Sequence, residues 1–157
     1  MAKKKSDDGS KIIADNRKAR FEYEVLEELE CGVELTGTEV KSLRQGQCSL
    51  QEAFGLIKGH QLWLVQATIP EYTQGNVHNH VPTRDRRLLA HRREIEGWFG
   101  KVRERGMTIV PLAIYFREAR IKVLMALCRG KKMYDKRAAT KEREDKREIE
   151  RATKRSR

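Results

Sequence analysis

Apolar and polar positions alternate over short stretches of the chain, as they do in half-buried strands. Near the start, Phe21, Tyr23 and Val25 alternate with Glu22 and Glu24, which predicts a first strand. Because an alternating strand buries only one face, this strand is predicted to be half-buried.

Two later pairs of apolar runs predict β-hairpins. The runs 54–57 and 62–65 are separated by a four-residue link that contains Gly59. The runs 109–116 and 121–127 are separated by another four-residue link. In the last of these strands one face is predicted to hold Ile121, Val123, Met125 and Leu127.

Two helices are predicted among the strands. The longer one runs from Arg87 to Arg105 and is stopped by Gly106, a typical residue after a helix end. Its apolar positions, at helical spacing, are Leu88, Ile95, Phe99 and Val102. A short helix is predicted to be capped by Thr38 and to end near Gly46.

Short strands with turn signals between them and one or two helices favour a mainly β fold. We expect a small closed antiparallel barrel of the oligonucleotide-binding type, with flanking helices and a basic C-terminal tail. Periodicity does not separate a closed barrel from an open sheet, so an open α+β sheet is the alternative.

Charge divides the chain into three parts. The 34 Lys and Arg residues exceed the 23 Asp and Glu residues, for a net charge of +11. Residues 1–20 contribute +4 and residues 130–157 contribute +6, whereas residues 21–129 contribute only +1. Both ends are poor in large apolar residues and cannot build a core. We therefore predict a flexible basic N-terminus at 1–15, an RNA-binding barrel domain at 16–129 and a tail at 130–157 that is disordered when free.

The excess of positive charge indicates a polyanionic partner, because neutralised phosphates release counterions. An anionic membrane surface is the competing partner, but no run of 18 apolar residues and no signal-peptide core is present, so we expect a soluble, cytoplasmic protein without membrane contact. Cys31, Cys48 and Cys128 form no CxxC pair, which favours apolar core positions in a reducing compartment.

Arginines are dense around the predicted long helix, where residues 84–105 hold eight basic and four acidic side chains. Such loops at helix starts suit contacts with an RNA backbone. The alternative is a solvated face with internal pairs such as Arg92 with Glu96. The cluster at 16–20 is either a second phosphate-contacting site or a polar lead-in to the first strand.

A metal-dependent nuclease is the alternative from another functional class. His78 and His80 can share a strand face, with Asp85 nearby, but no third and fourth ligand is evident in the sequence. No GxSxG, P-loop or dinucleotide motif is present either. We therefore expect no catalytic residues, no metal, no cofactor and no enzymatic activity.

The tail is basic and rich in helix-forming residues. Glu142 with Lys146, and Glu150 with Lys154, are i,i+4 pairs in the favourable order. Each pair contributes only about 0.3–0.5 kcal/mol, too little to hold a free helix. The pattern favours a segment that folds on a polyanionic groove, and a plain solubilising tail is the alternative.

Four stretches carry a specific combination of residues: NRKARFEY at 16–23, GTEVKSLRQG at 37–46, HVPTRDRRLL at 80–89 and GKKMYDKR at 130–137. With His91 after the third, they are similar, in order and over nearly the whole chain, to the SmpB (SsrA-binding protein) family. The departures are slight. Ala90 stands where a leucine is common, and Tyr134 where some members carry histidine.

The resemblance implies an oligonucleotide-binding barrel that clasps the tRNA-like domain of transfer-messenger RNA near its elbow, and a tail that becomes helical in the empty messenger channel of a stalled ribosome. Residues matching family positions for the RNA contact are Glu30, Leu89 and His91. From charge we add Arg17, Lys18, Arg20, Lys41, Arg44, Arg84, Arg86 and Arg87. The stretch implied in peptide tagging is Gly130, Lys131, Lys132, Tyr134, Asp135, Lys136 and Arg137.

The expected partners are therefore transfer-messenger RNA and the ribosome, at its decoding centre and messenger channel. The elongation factor that delivers aminoacyl-tRNA is a further candidate, and the protein is expected to act as a monomer in ribosome rescue by trans-translation. A general RNA-binding or ribosome-assembly protein on a similar barrel is the alternative function.

Overall fold

The computed structural model describes residues 11–74, 79–130 and 133–155. Within these ranges, seven strands and four helices follow one another along the chain. In order they are β1 (Lys11–Asp15), α1 (Arg17–Glu22), β2 (Tyr23–Val33), α2 (Gly37–Arg44), β3 (Phe54–Lys58), β4 (Gln61–Val65), β5 (Arg86–Leu89), α3 (Arg92–Arg105), β6 (Thr108–Arg117), β7 (Arg120–Gly130) and α4 (Met133–Arg155).

The strands pair antiparallel in the order β1-β6-β3-β4-β5-β2-β7, and β6 also pairs with β7. The longest ladders are β2–β7, from Tyr23 opposite Gly130 to Gly32 opposite Lys122, and β6–β7. The predicted class, mainly antiparallel β with flanking helices, is confirmed. No helix in the described ranges has the length and apolar character needed to cross a bilayer.

One face of the sheet forms the main core, and a smaller buried cluster packs Ala19 of α1 on Leu112 and Cys128. Leu62 and Leu64 of β4 are buried, and the predicted apolar face of β7 is confirmed by buried Val123, Met125 and Leu127. The thiols of Cys31 and Cys128 are buried as predicted, and Cys48 packs against the core. Burial raises the pKa of Cys31 to about 12, so its thiol stays protonated at neutral pH.

Both predicted hairpins are confirmed, each with a two-residue turn. Gly59 and His60 connect β3 to β4 with φ values of 59° and 62°. Glu118 and Ala119 connect β6 to β7 with φ values of 50° and 64°. Two positive φ angles match the right-handed twist of the flanking strands, which fixes the register of both hairpins.

The predicted long helix is wrong in its first turn. Residues 86–89 form β5, where Leu88 is buried opposite Leu62 of β4, and α3 begins only at Arg92. A spacing of seven residues between Leu88 and Ile95 fits a helix, but pairing of residues 86–89 with β4 on one side and β2 on the other overrides that local pattern. The predicted stop is confirmed, since Gly106 has a φ of 63°.

The predicted boundary at the N-terminal end of the folded domain also needs correction. Lys11–Asp15 were assigned to a flexible N-terminus, but they pair with β6 as β1, and Ile13 packs against the core. Residues 17–22, read as a lead-in and strand start, form helix α1, so β2 begins at Tyr23. Short segments at a chain end gain order from pairing partners that local sequence does not reveal.

Met133–Arg155 form helix α4. The predicted disorder of the free tail, with a helix formed on the ribosome, stays a prediction. Residues 141–153 of this helix are all exposed, and its neighbour is α1, where the Arg143 guanidinium lies 5.1 Å from the centre of the Phe21 ring. Helix-forming residues, which the sequence supplies throughout this segment, favour the helical backbone without a buried face.

A buried ion pair joins α2 to β5. The Glu39 carboxylate, fully buried, accepts hydrogen bonds from Arg84 Nη2 at 2.6 Å, Arg86 Nε at 2.5 Å and the Thr36 amide at 2.8 Å. Arg86 is also fully buried, and its remaining nitrogens donate to the carbonyls of Ala67, Arg84 and Pro82. Thr36 is therefore the N-cap of α2, two residues before the predicted cap.

Hydrogen bonding determines the charge state of Glu39. Burial alone would raise its pKa, but hydrogen bonds from Arg84, the Thr36 amide and Arg86 favour the carboxylate and hold the pKa below its ordinary value of 4.5. The carboxylate is thus ionised in the folded protein over a wider pH range than in the unfolded chain, which links folding to pH.

Gly55 permits the closest approach between strands. A Cβ atom at this position would lie 2.5 Å from Cγ2 of Ile109 on β6 and 3.0 Å from Cε of Met125 on β7. Gly55 is also the residue through which β3 pairs with β6. Only a residue without a side chain lets these two strands meet.

We predict that Gly55→Ala destabilises the protein by about 1–3 kcal/mol, because its methyl group overpacks the contact with Ile109. Gly97→Ala is the matched control, since nothing lies within 4 Å of a Cβ added there on α3. The control should be neutral or stabilising by up to about 1 kcal/mol. Urea unfolding measures both variants. Equal stability of Gly55→Ala and wild type would contradict this packing.

We predict that Glu39→Gln lowers stability by about 3–5 kcal/mol at pH 7, because Arg86 loses its buried counter-charge. In wild type, the stability from the lowered pKa is present above pH 4.5 and is lost as pH falls through the folded pKa. The variant should lack this acid-dependent loss. Urea unfolding between pH 7 and pH 3 tests both points. Glu96→Gln, at an exposed pair with Arg92, serves as control and should change stability by under about 1 kcal/mol.

Candidate RNA-binding surface

The outer face of the sheet carries a row of residues at matched register. Leu89 on β5 lies opposite Gly32 on β2, Gly32 opposite Lys122 on β7, Lys122 opposite Tyr115 on β6, and Tyr115 opposite Ile12 on β1. Directly opposed residues in antiparallel strands point to the same side of a sheet. We call these five residues the outer row, and it crosses five neighbouring strands.

The outer row combines apolar, aromatic and basic groups. Leu89 and Ile12 are 45% and 56% exposed, although both are large apolar side chains. Gly32 leaves space that Leu89 fills, since a Cβ at Gly32 would lie 3.2 Å from the Leu89 Cβ. Exposed apolar and aromatic side chains beside cations are typical of surfaces on which nucleic acids stack.

The structure brings together the three residues predicted from family positions. Glu30 lies on β2 two residues before Gly32, on the same face, and Leu89 is opposite Gly32. His91 follows Leu89 by two residues and is the exposed N-cap of α3. Glu30, Leu89 and His91 therefore lie at neighbouring positions of the β2–β5 pair.

Next to this cluster, a groove of about 360 Å³ runs from Leu89 to the tip of the β6–β7 hairpin. Its walls include Phe116, Arg120 and Lys122. Arg117 lies directly opposite Arg120. These cations are not among the predicted site residues. Arg117 and Arg120 fall in the predicted hairpin link, and Lys122 lies between two predicted apolar positions of the last strand. Register alone brings them beside Leu89, and no sequence signal gives that register.

The prediction that Arg86 contacts RNA is contradicted by its burial. Its guanidinium is fully buried and donates to Glu39 and three backbone carbonyls, so it does not reach the surface. Arg84 and Arg87 are partly exposed, and they pair with Glu39 at 2.6 Å and with Glu34 at 3.3 Å respectively. Arg86 therefore supports β5 from inside while Leu89, on the same strand, faces outward.

The basic residues of α1 form a separate patch. Arg17, Lys18 and Arg20 are exposed, with Lys18 3.6 Å from Glu52 and Arg20 3.4 Å from Asp15. α1 precedes Tyr23, which lies at the opposite end of β2 from Gly32, roughly 30 Å away at 3.3 Å per residue. The α1 patch and the outer row are therefore distinct areas.

Asn16 fixes α1 to the sheet. Its buried side chain donates to the carbonyls of Leu50 at 3.1 Å and Pro111 at 2.9 Å, and accepts from the amide of Ala19 at 3.2 Å. With both amide protons and the oxygen bonded, this side chain determines where Arg17 and Lys18 emerge. In the sequence, Asn16 is only the first residue of the basic cluster at 16–20, and its role as an anchor was not predicted.

The predicted cations of α2 are exposed. The ammonium of Lys41 lies 5.5 Å from the centre of the Tyr72 ring, and Arg44 makes no ion pair with a residue that the structure describes. Both follow Glu39 on the same helix, so the buried ion pair also holds this surface.

The predicted tail residues divide between two elements and an undescribed stretch. Gly130 ends β7 opposite Tyr23. Lys131 and Lys132 lie outside the described residues. The remaining predicted positions, which all belong to the first turns of α4, are Tyr134, Asp135, Lys136 and Arg137.

His80 has a structural role. Its ring is buried, with Nδ1 2.9 Å from the Thr38 hydroxyl and Nε2 2.8 Å from the Ile69 carbonyl. Both ring nitrogens are thus engaged with protein groups, and His78 lies outside the described residues. Among the residues that the structure describes, no three His, Cys, Asp or Glu side chains converge as metal ligands.

Comparison with known proteins identifies the family of this chain. A family model described as "SmpB protein" matches residues 13–155. An SsrA-binding protein of Thermobifida fusca is 53% identical over 160 aligned positions that cover 100% of both chains. Another, of Kineococcus radiotolerans, is 56% identical over 92% of each chain.

A solved structure gives the same result at the level of the fold. A chain from the structure described as "tmRNA-SmpB: a journey to the center of the bacterial ribosome" superposes with a TM-score of 0.65 and 45% sequence identity. The match covers 76% of this chain and 85% of that one. The family model, the sequence relatives and the solved structure agree, and the chain belongs to the SmpB family.

Proposed function

We propose that this chain binds the tRNA-like domain of transfer-messenger RNA and delivers it to stalled ribosomes for trans-translation. The observation that carries the proposal is the juxtaposition of Glu30, Leu89 and His91 beside the outer row. Relatives at about half identity are named SsrA-binding proteins, and the matching solved structure is named for tmRNA and SmpB in the ribosome. The function is one of binding, without a chemical step.

The scaffold of this surface is, in our proposal, a closed barrel of the oligonucleotide-binding type. The strand pairings support it, because the order runs from β6 through β3, β4, β5 and β2 to β7, and β7 pairs again with β6. The close contact at Gly55, where β3 meets β6, is what such a closure requires. Closure would give the outer row a fixed curvature to match a folded RNA.

Shape selection by the body is supported by its charge. Residues 21–129 are nearly neutral, with a net charge of +1, so attraction to any RNA by charge alone is weak there. Apolar Leu89 and the aromatic ring of Tyr115 instead offer contacts that depend on how bases and sugars are arranged. The α1 patch and the exposed cations of α2 add phosphate contacts around this surface.

The tail has a separate task in the proposal, namely to enter the messenger channel of a ribosome that has lost its messenger. Its net charge of +6 and its exposed helix suit a channel lined by RNA. A cationic helix occupies that channel only when no messenger competes for it, so the tail recognises a vacancy. Gly130 and the first turn of α4 would contact the decoding centre.

The remaining features of the proposal follow from this role. The protein acts in the cytoplasm as a monomer, and the elongation factor that delivers aminoacyl-tRNA joins the complex before the ribosome is reached. Three free thiols, with the pKa of each raised by burial, suit a reducing compartment.

We predict that the protein binds transfer-messenger RNA in preference to ordinary tRNA and that Leu89→Ala weakens this binding about tenfold, since the apolar contact is lost. Leu56→Ala is the matched control, because Leu56 on β3 is 46% exposed, about as much as Leu89. A competition gel shift measures both. Equal affinity for both RNAs would favour a general RNA-binding or ribosome-assembly protein.

We predict that truncation after Gly130, where β7 ends, leaves binding of transfer-messenger RNA within about threefold of wild type and abolishes peptide tagging on stalled ribosomes. Loss of the tail removes only part of the nonspecific phosphate attraction. Filter binding and a tagging assay on ribosomes stalled without messenger give the two readouts. If truncation abolished RNA binding, the proposed separation between body and tail would be wrong.

A further inference from the structure

An acidic residue stands in the middle of the proposed RNA surface. Glu30 on β2 is one third exposed at its side chain, and a carboxylate at such a position repels phosphate. Its role in RNA binding therefore needs a partner of opposite charge. The structure supplies one across the neighbouring strand, on β6.

Glu30 is held by two residues of β6. Arg117 Nη1 donates to both carboxylate oxygens of Glu30, at 2.9 and 2.8 Å, and the Tyr115 hydroxyl donates to one of them. Tyr115 and Arg117 are two residues apart and so share a face of β6. β7 lies between β2 and β6, so the carboxylate spans a whole strand to make these contacts.

The hairpin tip concentrates positive charge beside this cluster. Arg117 lies directly opposite Arg120, and Tyr115 lies directly opposite Lys122. Like charges directly opposite each other in a sheet are destabilising. Glu30, together with Glu118 in the turn, supplies two negative charges against the three cations Arg117, Arg120 and Lys122, so the charge among these described residues is still positive and favours an anion.

We propose that Glu30 acts as a positioning residue for Arg117, which with Arg120 and Lys122 forms a phosphate-binding site at the tip of the β6–β7 hairpin. The Arg117 side chain is 44% exposed, so a phosphate reaches its guanidinium while Glu30 fixes its orientation. Tyr115 fixes the carboxylate in turn. Glu30 thus promotes RNA binding through Arg117, although its own charge opposes it. This inference rests on the proposed RNA-binding function.

A double-mutant cycle tests the proposal, with affinity for transfer-messenger RNA measured by filter binding across a range of salt. Arg117→Ala should weaken binding about tenfold and reduce the slope of log K against log salt by about 0.7–0.9, the value for one phosphate contact. Glu30→Ala should also weaken binding about tenfold, although it removes a negative charge. The double variant should bind no more weakly than Arg117→Ala alone.

Matched control variants distinguish the effect of a side chain's position from the effect of its charge. Glu27→Ala removes a carboxylate from the same strand, at an exposed pair with Lys101, and should leave affinity unchanged or raise it. Arg103→Ala removes an exposed cation from α3 and should change affinity by less than about twofold. Arg117→Lys keeps the charge and should retain the salt slope with part of the affinity. Thermal unfolding confirms that each variant is folded.

Two results would overturn the proposal. If Arg117→Ala kept wild-type affinity and salt slope, Arg117 would not contact phosphate. If Glu30→Ala still weakened binding tenfold in the Arg117→Ala background, Glu30 would contact RNA directly. Failure of the proposed function has a different outcome, in which wild type shows no preference for transfer-messenger RNA over tRNA. The cycle measured on either RNA still decides the role of Glu30.

Discussion

The ion pair between Glu39 and Arg86 is the constraint on which the RNA surface depends. Two charges buried away from water are unfavourable unless hydrogen bonds satisfy them, and here every guanidinium nitrogen of Arg86 and both oxygens of Glu39 are engaged. Because Arg86 begins the four-residue strand β5, its position fixes the register of Leu88 and Leu89. A slip of one residue would bury Leu89 and expose Leu88.

The two faces of the sheet therefore have different roles. The inner face is filled by residues such as Leu62, Leu64 and Met125, and it supplies the stability. The outer face leaves the side chains of Leu89 and Lys122 accessible to a ligand, while Tyr115 holds the Glu30 carboxylate there. Binding chemistry on rigid strands is held more exactly than on loops, which favours recognition of a folded RNA by shape.

The sequence predicted those parts of the fold that depend on local patterns. Both hairpins follow from apolar runs around short links, and Gly106 ends α3 as expected. β5 was missed because Leu88 and Ile95 have helical spacing, while the partners that make residues 86–89 a strand are distant in sequence. Short strands without alternation, such as β1 and β5, gain their identity from tertiary pairing.

Long-range pairing also explains which of the predicted site residues reach the surface. Arg86 shares its residue type and neighbourhood with Arg84 and Arg87, and only a distant carboxylate on α2 makes it a core residue. Conversely, Arg120 and Lys122 looked like ordinary polar positions until register set them beside Leu89. Charge counts identify a region that binds polyanions, but the members that reach the surface are decided by long-range pairing.

The contacts that hold the tail against the rest of the protein differ from those that hold the strands. The strands are held by ladders and a shared core, whereas residues 141–153 of α4 are exposed, and the described contact with α1 is a cation–π pair of Arg143 with Phe21. Such a pair at an exposed site contributes about 0.5–1 kcal/mol, and each i,i+4 pair about 0.3–0.5 kcal/mol. These energies are small enough for the RNA-lined channel of our proposal to displace the helix from α1 without disturbing the core. The two activities that we propose, RNA selection by the body and channel recognition by the tail, are then compatible in one chain, because the second leaves the first intact.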